Sequence, residues 1–278
     1  MNQLYQAIGI SKQAVYQYAS RQHLFDSRVL VLLIEVDQLR EVHPGCGVEK
    51  MYDTLKPDFI GRDRFVDLLM DFGYRLKRIR NYHRTTFSSP VNYPNLIKGL
   101  KIHEPCKVWQ SDITYIRIGE RFYYAVFIVD VYTKKIVGYQ VSDHMRATAN
   151  VNALRMALKK HRAPAIHHSD RGSQYVYQEY ILLLKANNCR ISMAQAAQDN
   201  AYAERINQTI KNEYIAYWKP ESFEKLKAYI KRAVNHYNTY RNHNGIGKIS
   251  PVDFERKWNT LKRKERPLVT IFDKVNNP

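Results

Sequence analysis

The chain has 278 residues, with 44 Lys and Arg against 26 Asp and Glu, a formal net charge of +18 at pH 7. That length suits two domains or one large one, and a composition 45% hydrophobic and 12% aromatic excludes a disordered or fibrous chain. The best apolar run, Val29 to Val36, is interrupted by Glu35 and followed by Asp37, short of the roughly 18 residues of a membrane span. The start MNQLYQAIGISKQ lacks the apolar core of a signal peptide, and Cys46, Cys106 and Cys189 are too few and too scattered for a disulfide framework. The expectation is a soluble cytoplasmic protein with no membrane partner. Its excess of positive charge points to a polyanion, most often nucleic acid.

In chain order, residues 1–38 read as an N-terminal helical segment. Leu4, Ile8 and Ile10 precede Ser11, an N-cap type, and KQAVYQYASRQ follows as a helix. Within residues 1–22 the step from GIS into KQAVY has the form of a helix-turn-helix, although short helix pairs without DNA are equally common. Residues 40–88 read as a second helical domain resembling a helix-turn-helix. There VEKMYDTLKP and IGRDRFVDLLMDF predict helices, Phe65, Leu68, Leu69 and Phe72 share one face, and Gly73 is a stop signal. The basic run that follows includes Arg75, Lys77, Arg78 and Arg80 and suits phosphate contact, with a solvated face as the plain alternative. Residues 89–103, in a stretch with prolines and serines, read as a linker.

From residue 104 the period changes. KVWQSDITYI, FYYAVFIVDVY and KIVGYQVS predict an antiparallel three-strand meander with a buried middle strand. ATANVNALRMALKKH then predicts a helix, AIHHSD a strand, YQEYILLLKANN a helix, RISM a strand and DNAYAERINQTIKNEYIAYW a long helix. The fold class is therefore α/β, a mixed-sheet core over residues 104–218. Residues 219–278 read as a C-terminal helical region: ESFEKLKAYIKRAVNHYNTYRNH, a Ser-Pro helix entry at SPVDFERKW, and a frayed basic tail.

Three acids stand out by position. Asp112 lies mid-strand, Asp170 at the carboxyl end of a strand where active groups collect, and Glu204 in the first turns of a helix. At 100° per residue, Tyr202, Ile206, Ile210 and Tyr217 form a core stripe, whereas Glu204, Gln208 and Lys211 share the opposite face. Any one of these acids alone reads best as a salt bridge or a cap. Together, converging carboxylates are costly unless a cation compensates them, and they suit hard divalent ions such as Mg²⁺. A pair of such ions serves in-line phosphoryl displacement, and a basic chain is what a phosphodiester substrate requires.

The segments WQSDITYI, FIVDVYTKKIVGY, HHSDRGSQY, ISM, DNAYAERINQTIKNE and HYNTYRNHNGIGKISPVDFE resemble bacterial insertion-sequence transposases of the IS-three group, OrfB type. The resemblance spans roughly residues 40–260. It implies an RNase H-like core shared with retroviral integrases, a DDE triad at Asp112, Asp170 and Glu204, and a basic residue at Lys211. It implies two Mg²⁺ ions per active site, with Mn²⁺ as a substitute, cleavage of a transposon-end strand and joining of its 3′ end. Its implied partners are double-stranded DNA (transposon ends and target), further copies of itself in a dimer or higher multimer, and an upstream OrfA-type protein. Such a protein is cytoplasmic and nucleoid-associated.

Lys211, Gln208, Arg171, Arg75, Lys77, Arg78 and Arg80 are the candidate DNA contacts. Between Asp170 and Glu204 lie 33 residues, two fewer than that group usually has. The shortfall lies in SMAQAAQDNAYAE, where a loop deletion costs little. Two rival functions remain open: a catalytically inactive, repressor-like DNA-binding relative, and a nuclease of the same fold. Asp130 is expected to cap the turn after its strand rather than act as a fourth ligand, and His167 or His168 to line the cleft. No zipper-length heptad run appears, so free OrfB product and part of a fusion both fit.

Overall fold

A computed structural model describes residues 9, 11–76 and 93–271. The chain divides into two compact units, residues 1–77 and 78–278.

Among the described residues the first unit has three helices, α1 (Lys12–Val42), α2 (Val48–Leu55) and α3 (Arg62–Asp71). Ser11 caps α1 as expected, its hydroxyl accepting the Ala14 N–H at 3.1 Å. The helix does not stop after Gln22, however, but runs unbroken to Val42, across the boundary expected near residue 38. No Gly or Pro lies between Lys12 and His43, and Pro44-Gly45 is the first breaker. Leu32 and Val36 of α1 share one core with Met51, Phe65 and Leu69, so α1 belongs with the two helices that follow. The earlier half of the pair expected in residues 1–22 lies outside the described residues. Gly73 adopts φ 82° just after α3, the left-handed stop that its sequence position signals. Phe72, beyond the last helical turn, is exposed rather than part of the apolar face.

The second unit is built on a five-stranded mixed sheet of order β4-β3-β2-β5-β6. Its strands are β2 (Val108–Ile118), β3 (Arg121–Asp130), β4 (Ile136–Ser142), β5 (Ile166–Ser169) and β6 (Arg190–Met193). The meander β2–β3–β4 is antiparallel, and β5 and β6 add in parallel beside β2. This is the RNase H-like topology. Helices α4 (Ala147–Lys160), α5 (Gln178–Ala186), α6 (Ala201–Ile210) and α7 (Phe223–Thr239) cover the sheet. Alternation along β3 explains the two layers. Val126 and Ile128 face α4 and α5, while Phe127 and Val129 face α6 and α7.

Two expected peripheral segments are integral parts of this unit. The assigned linker ends in β1 (Lys101–Ile102), and the assigned tail contains β7 (Val269–Thr270), which pairs with β1. Ile97, Ile102 and Ile271 are buried together with Phe254 of α8 (Pro251–Thr260). The Tyr132 hydroxyl donates to the Pro267 carbonyl at 2.8 Å. Apolar side chains and a two-residue pairing thus hold residues 266–271 where charge alone indicated fraying. Helix α7 likewise buries Leu226, Ile230, Ala233 and Tyr237 in the sheet's own core. Among the described residues no helix is long and apolar enough to cross a membrane.

Sheet and helix approach closely at Gly138 on β4, where a Cβ would overlap the Ala153 carbonyl oxygen and lie 2.9 Å from Ala157 Cβ on α4. Backbone on one side leaves nothing free to move. Gly138→Ala is therefore expected to destabilise the protein by about 1–3 kcal/mol, read as a lower urea midpoint with an unchanged slope.

Candidate active site

Strand register brings the first two acids together. In the parallel pair β2–β5, Ser111 lies opposite Ser169, so the next residues, Asp112 and Asp170, stand side by side where β5 ends. Alternation puts Gln110 and Asp112 on the sheet face that packs α6, and Ser111 on the other.

Neutral amides then fasten α6 to that face. Gln110 Oε1 accepts the Tyr202 and Ala203 N–H groups at 3.1 and 3.3 Å, satisfying donors of the helix's first turn. Its Nε2 donates to the Asp199 carbonyl at 3.2 Å. Asn200 Nδ2 donates to the Ser111 carbonyl at 3.1 Å, and Asn207 Nδ2 to Asp112 Oδ2 at 2.8 Å. The shortened loop before the helix closes on itself, with Asp199 Oδ2 accepting the Gln195 and Ala196 N–H groups. Glu204, in the first turn of α6, is thereby held beside the two aspartates and exposed.

Asp170 is shaped from its own loop. Its Oδ1 accepts the Gly172 N–H at 3.0 Å, and a Cβ on Gly172 would sit 3.0 Å from both Asp170 Oδ1 and Gln174 Oε1. On the far face of β2, Ser111 Oγ and the Tyr175 hydroxyl lie 3.1 Å apart in the core.

The electrostatics are those of uncompensated like charges. Burial, then the charges of Asp170 and Glu204, push Asp112 well above the usual carboxylate range, against the Ile113 N–H and Asn207 bonds that favour its charged form. Burial raises Asp170, opposed by the Gly172 N–H. Glu204 is raised by burial and then by Asp170. No ion pair among the described residues involves any of the three. Nor do three His, Cys, Asp or Glu side chains among the described residues close around one point as a ready-made metal cage. The site is an open set of hard oxygen donors with negative charge to spare. Mg²⁺ fits such a set, since it takes one or two carboxylates and completes its shell with water or phosphate oxygens.

The other candidates fall into distinct places. Lys211 is half-buried on the Glu204 side of the helix, and burial lowers its pKa. Gln208 is exposed, its Oε1 accepting from Asn212 at 3.2 Å. Arg171 Nε is tied to the Ala194 carbonyl at 3.0 Å. Arg75 is exposed in the first unit, and Lys77, Arg78 and Arg80 lie outside the described residues. Asp130 serves the turn after β3: Oδ1 accepts from Thr133 N and Oγ1 at 2.8 and 2.9 Å, and Oδ2 from Cys106 N at 2.6 Å.

His167 and His168 do not line the cleft, contrary to expectation. Both are buried. His167 Nε2 lies 3.0 Å from the Tyr180 hydroxyl and His168 Nδ1 2.8 Å from Ser192 Oγ, and burial pushes their pKa values down to about 3 and about 4. Sequence reasoning missed Gln110, Asn200 and Asn207. Their signal was spacing: Gln110 two residues before Asp112 on a strand, and Asn200 and Asn207 one turn either side of Glu204.

The chain is similar to known proteins. Residues 102–198 and 187–251 match two family profiles, each described as an integrase core domain. The insertion element IS600 uncharacterized 31 kDa protein of Shigella sonnei is 32% identical over 92% of this chain and 98% of its own length. The transposase InsF for insertion sequence IS3A of Escherichia coli (strain K12) is 32% identical over 66% of this chain and 67% of its length. Among solved structures, the catalytic core domain of HTLV-2 integrase in complex with magnesium (trimeric form) is 18% identical with a TM-score of 0.45, covering 58% of this chain and 99% of that one. The simian T-cell lymphotropic virus intasome in complex with a PP2A regulatory subunit is 15% identical with a TM-score of 0.49, over 78% and 73%. With one relative matched almost end to end and a transposase matched over two thirds of its length, the chain belongs to the IS3-type insertion-sequence transposases, DDE-type enzymes with an integrase core.

Proposed function

We propose that this transposase cuts transposon-end DNA and joins the freed 3′ end to target DNA by two in-line phosphoryl transfers at Asp112, Asp170 and Glu204. The observation that carries the reading is the grouping of three carboxylates at a strand end, all raised by burial and Asp112 and Glu204 also by neighbouring acids, with no ion pair among the described residues to balance them. In the first transfer a water oxygen bonds to phosphorus and the 3′ oxygen leaves as a hydroxyl. In the second, that hydroxyl attacks a target phosphodiester and the target's own 3′ oxygen leaves. No protein nucleophile is needed, and the chain's task is position and charge.

Asp112 and Asp170 would hold Mg²⁺, or Mn²⁺ in its place, with Glu204 completing a second ion's shell, and the pair would supply Lewis-acid stabilisation of the attacking and leaving oxygens. Asn207 keeps Asp112 oriented, and Gln110 and Asn200 keep α6 in register with β2. Lys211 and Gln208, on the helix that carries Glu204, and Arg171, next to Asp170, would steady the DNA backbone, and Arg75, Lys77, Arg78 and Arg80 would add further backbone contacts. Two transposon ends call for at least a dimer on DNA, and an OrfA-type partner would add end recognition.

Labelled end-sequence oligonucleotides with Mg²⁺ test the reaction directly. Wild type should cleave and join, whereas Glu204→Gln should bind and do neither. Binding alone in wild type would indicate a repressor, and cleavage without joining a nuclease. Asn207→Ala should lower joining about 10- to 100-fold, as expected for a residue that orients a metal ligand.

Stability provides an independent check. The folded protein raises the Asp112 pKa above its unfolded value, so the stabilisation this group gives is present at low pH and is lost as pH rises through the folded pKa. In EDTA, Asp112→Asn should therefore melt higher than wild type at pH 7, and the gap should close toward pH 4. Mg²⁺ should raise the melting temperature of wild type more than that of the variant. An equal loss of stability at both pH values would contradict the charge assignment.

A further inference from the structure

The motif HYNTYRNH, residues 236–243, supplies nothing to the carboxylate cluster, yet two of its side chains, His236 and Arg241, grip the helix that carries Glu204, and a third, Asn238, grips the sheet. Asn238 donates to the Ile136 carbonyl and accepts the Ile136 N–H, both at 2.9 Å, pinning the end of α7 to β4. His236 Nδ1 lies 3.0 Å from the Tyr214 hydroxyl. Arg241 makes a two-pronged bond to Glu213, Nε to Oε2 and Nη2 to Oε1, each 2.7 Å, with side chains only 8% and 18% exposed. His243 stacks edge-on to Tyr237 at 4.6 Å and lies 3.2 Å from Arg241 Nη1.

Glu213 and Tyr214 both belong to a π turn, Lys211–Ile215, that interrupts the helix carrying Glu204. The Ala216 N–H reaches back five residues to the Lys211 carbonyl, so the turn holds one residue more than an α-helix allows. In an unbroken helix the inward stripe of Ala203, Ile206 and Ile210 would run on through residues 213 and 217. Instead Tyr214 takes the inward place, fully buried, and Glu213 swings to Arg241. A π turn persists where its surroundings over-determine it, and such turns gather at functional sites. Lys211 is its first residue, one helical face with Glu204.

We propose that Arg241 is a positioning residue, whose fork on Glu213 locks the π turn and so fixes the direction in which Lys211 presents its ammonium to the DNA backbone beside Glu204. The proposal rests on the reading of Lys211 as a phosphate contact. A guanidinium fixes the plane of a carboxylate, whereas an ammonium is a point charge that does not. Arg241→Lys therefore keeps the charge and releases the orientation.

The test is a double-mutant cycle on full-length protein binding labelled end DNA across a salt titration, with wild type, Lys211→Ala, Arg241→Lys and the double variant. Loss of one phosphate contact makes the slope of log K on log salt shallower by about 0.9. Lys211→Ala and Arg241→Lys should each do so, and the double variant should be no worse than either. Losses that add, or an Arg241→Lys slope equal to wild type, would overturn the clamp and leave the reading of Lys211 standing. An unchanged slope for Lys211→Ala itself would sink both. Thermal melting confirms that each variant is folded at the assay temperature. Should Arg241→Lys melt below it, Glu213→Gln, which keeps the shape and drops the charge, must give the same shallow slope.

Discussion

Three like charges brought together by folding are the constraint around which the second unit is arranged. Asp112 and Asp170 end up adjacent because β2 and β5 run parallel in register, and Glu204 joins them because α6 is fastened across β2. A lysine or arginine would have balanced the cluster and filled the space a substrate needs. The protein uses neutral groups instead: Asn207 and the Gly172 N–H donate to Asp112 and Asp170, Gln110 accepts the first N–H groups of α6, and Asn200 donates to the Ser111 carbonyl. Amides fix position without cancelling charge, which leaves the charge that the proposed divalent cation would balance.

The rest of the unit serves to keep that arrangement stiff. Gly138 lets α4 lie close against the sheet, and the α6 and α7 layer closes the other side. The C-terminal region is part of this frame rather than an appendage. Through Asn238, His236 and, just past its end, Arg241, α7 is bound to β4 and to the helix that carries Glu204. Pairing of β1 with β7 holds Ile102 and Ile271 in one core with Val108 of β2 and Ile166 of β5.

How much of this was legible in the sequence depended on how local its cause is. The meander and the helices that follow were readable because alternation and one-face spacing are local patterns, and Asp112 was conspicuous because a carboxylate in a buried strand is expensive. The length of α1 follows from the absence of a breaker, a weaker signal than the Ser11 cap at its start. The pairing of Val269–Thr270 was invisible because its partner lies at the other end of the unit, and charge dominated the local reading. The π turn leaves no mark in KNEYI, since its stabilising partner, Arg241, lies far along the chain, just past the end of α7. His167 and His168 looked like cleft residues by proximity to Asp170, but strand burial turned them into the core. Gln110, Asn200 and Asn207 resembled ordinary polar residues, and only the register between β2 and α6 gives them a task.

The central claim is that the unbalanced carboxylates are a binding site for divalent metal at the point of phosphoryl transfer. Anomalous scattering at the manganese edge, from crystals of the full chain grown with end DNA and Mn²⁺, tests it most directly. Manganese peaks in contact with Asp112, Asp170 and Glu204, and absent in Asp112→Asn, are the predicted result. Manganese bound only elsewhere on the chain, or a cleft that stays metal-free with DNA in place, would contradict it.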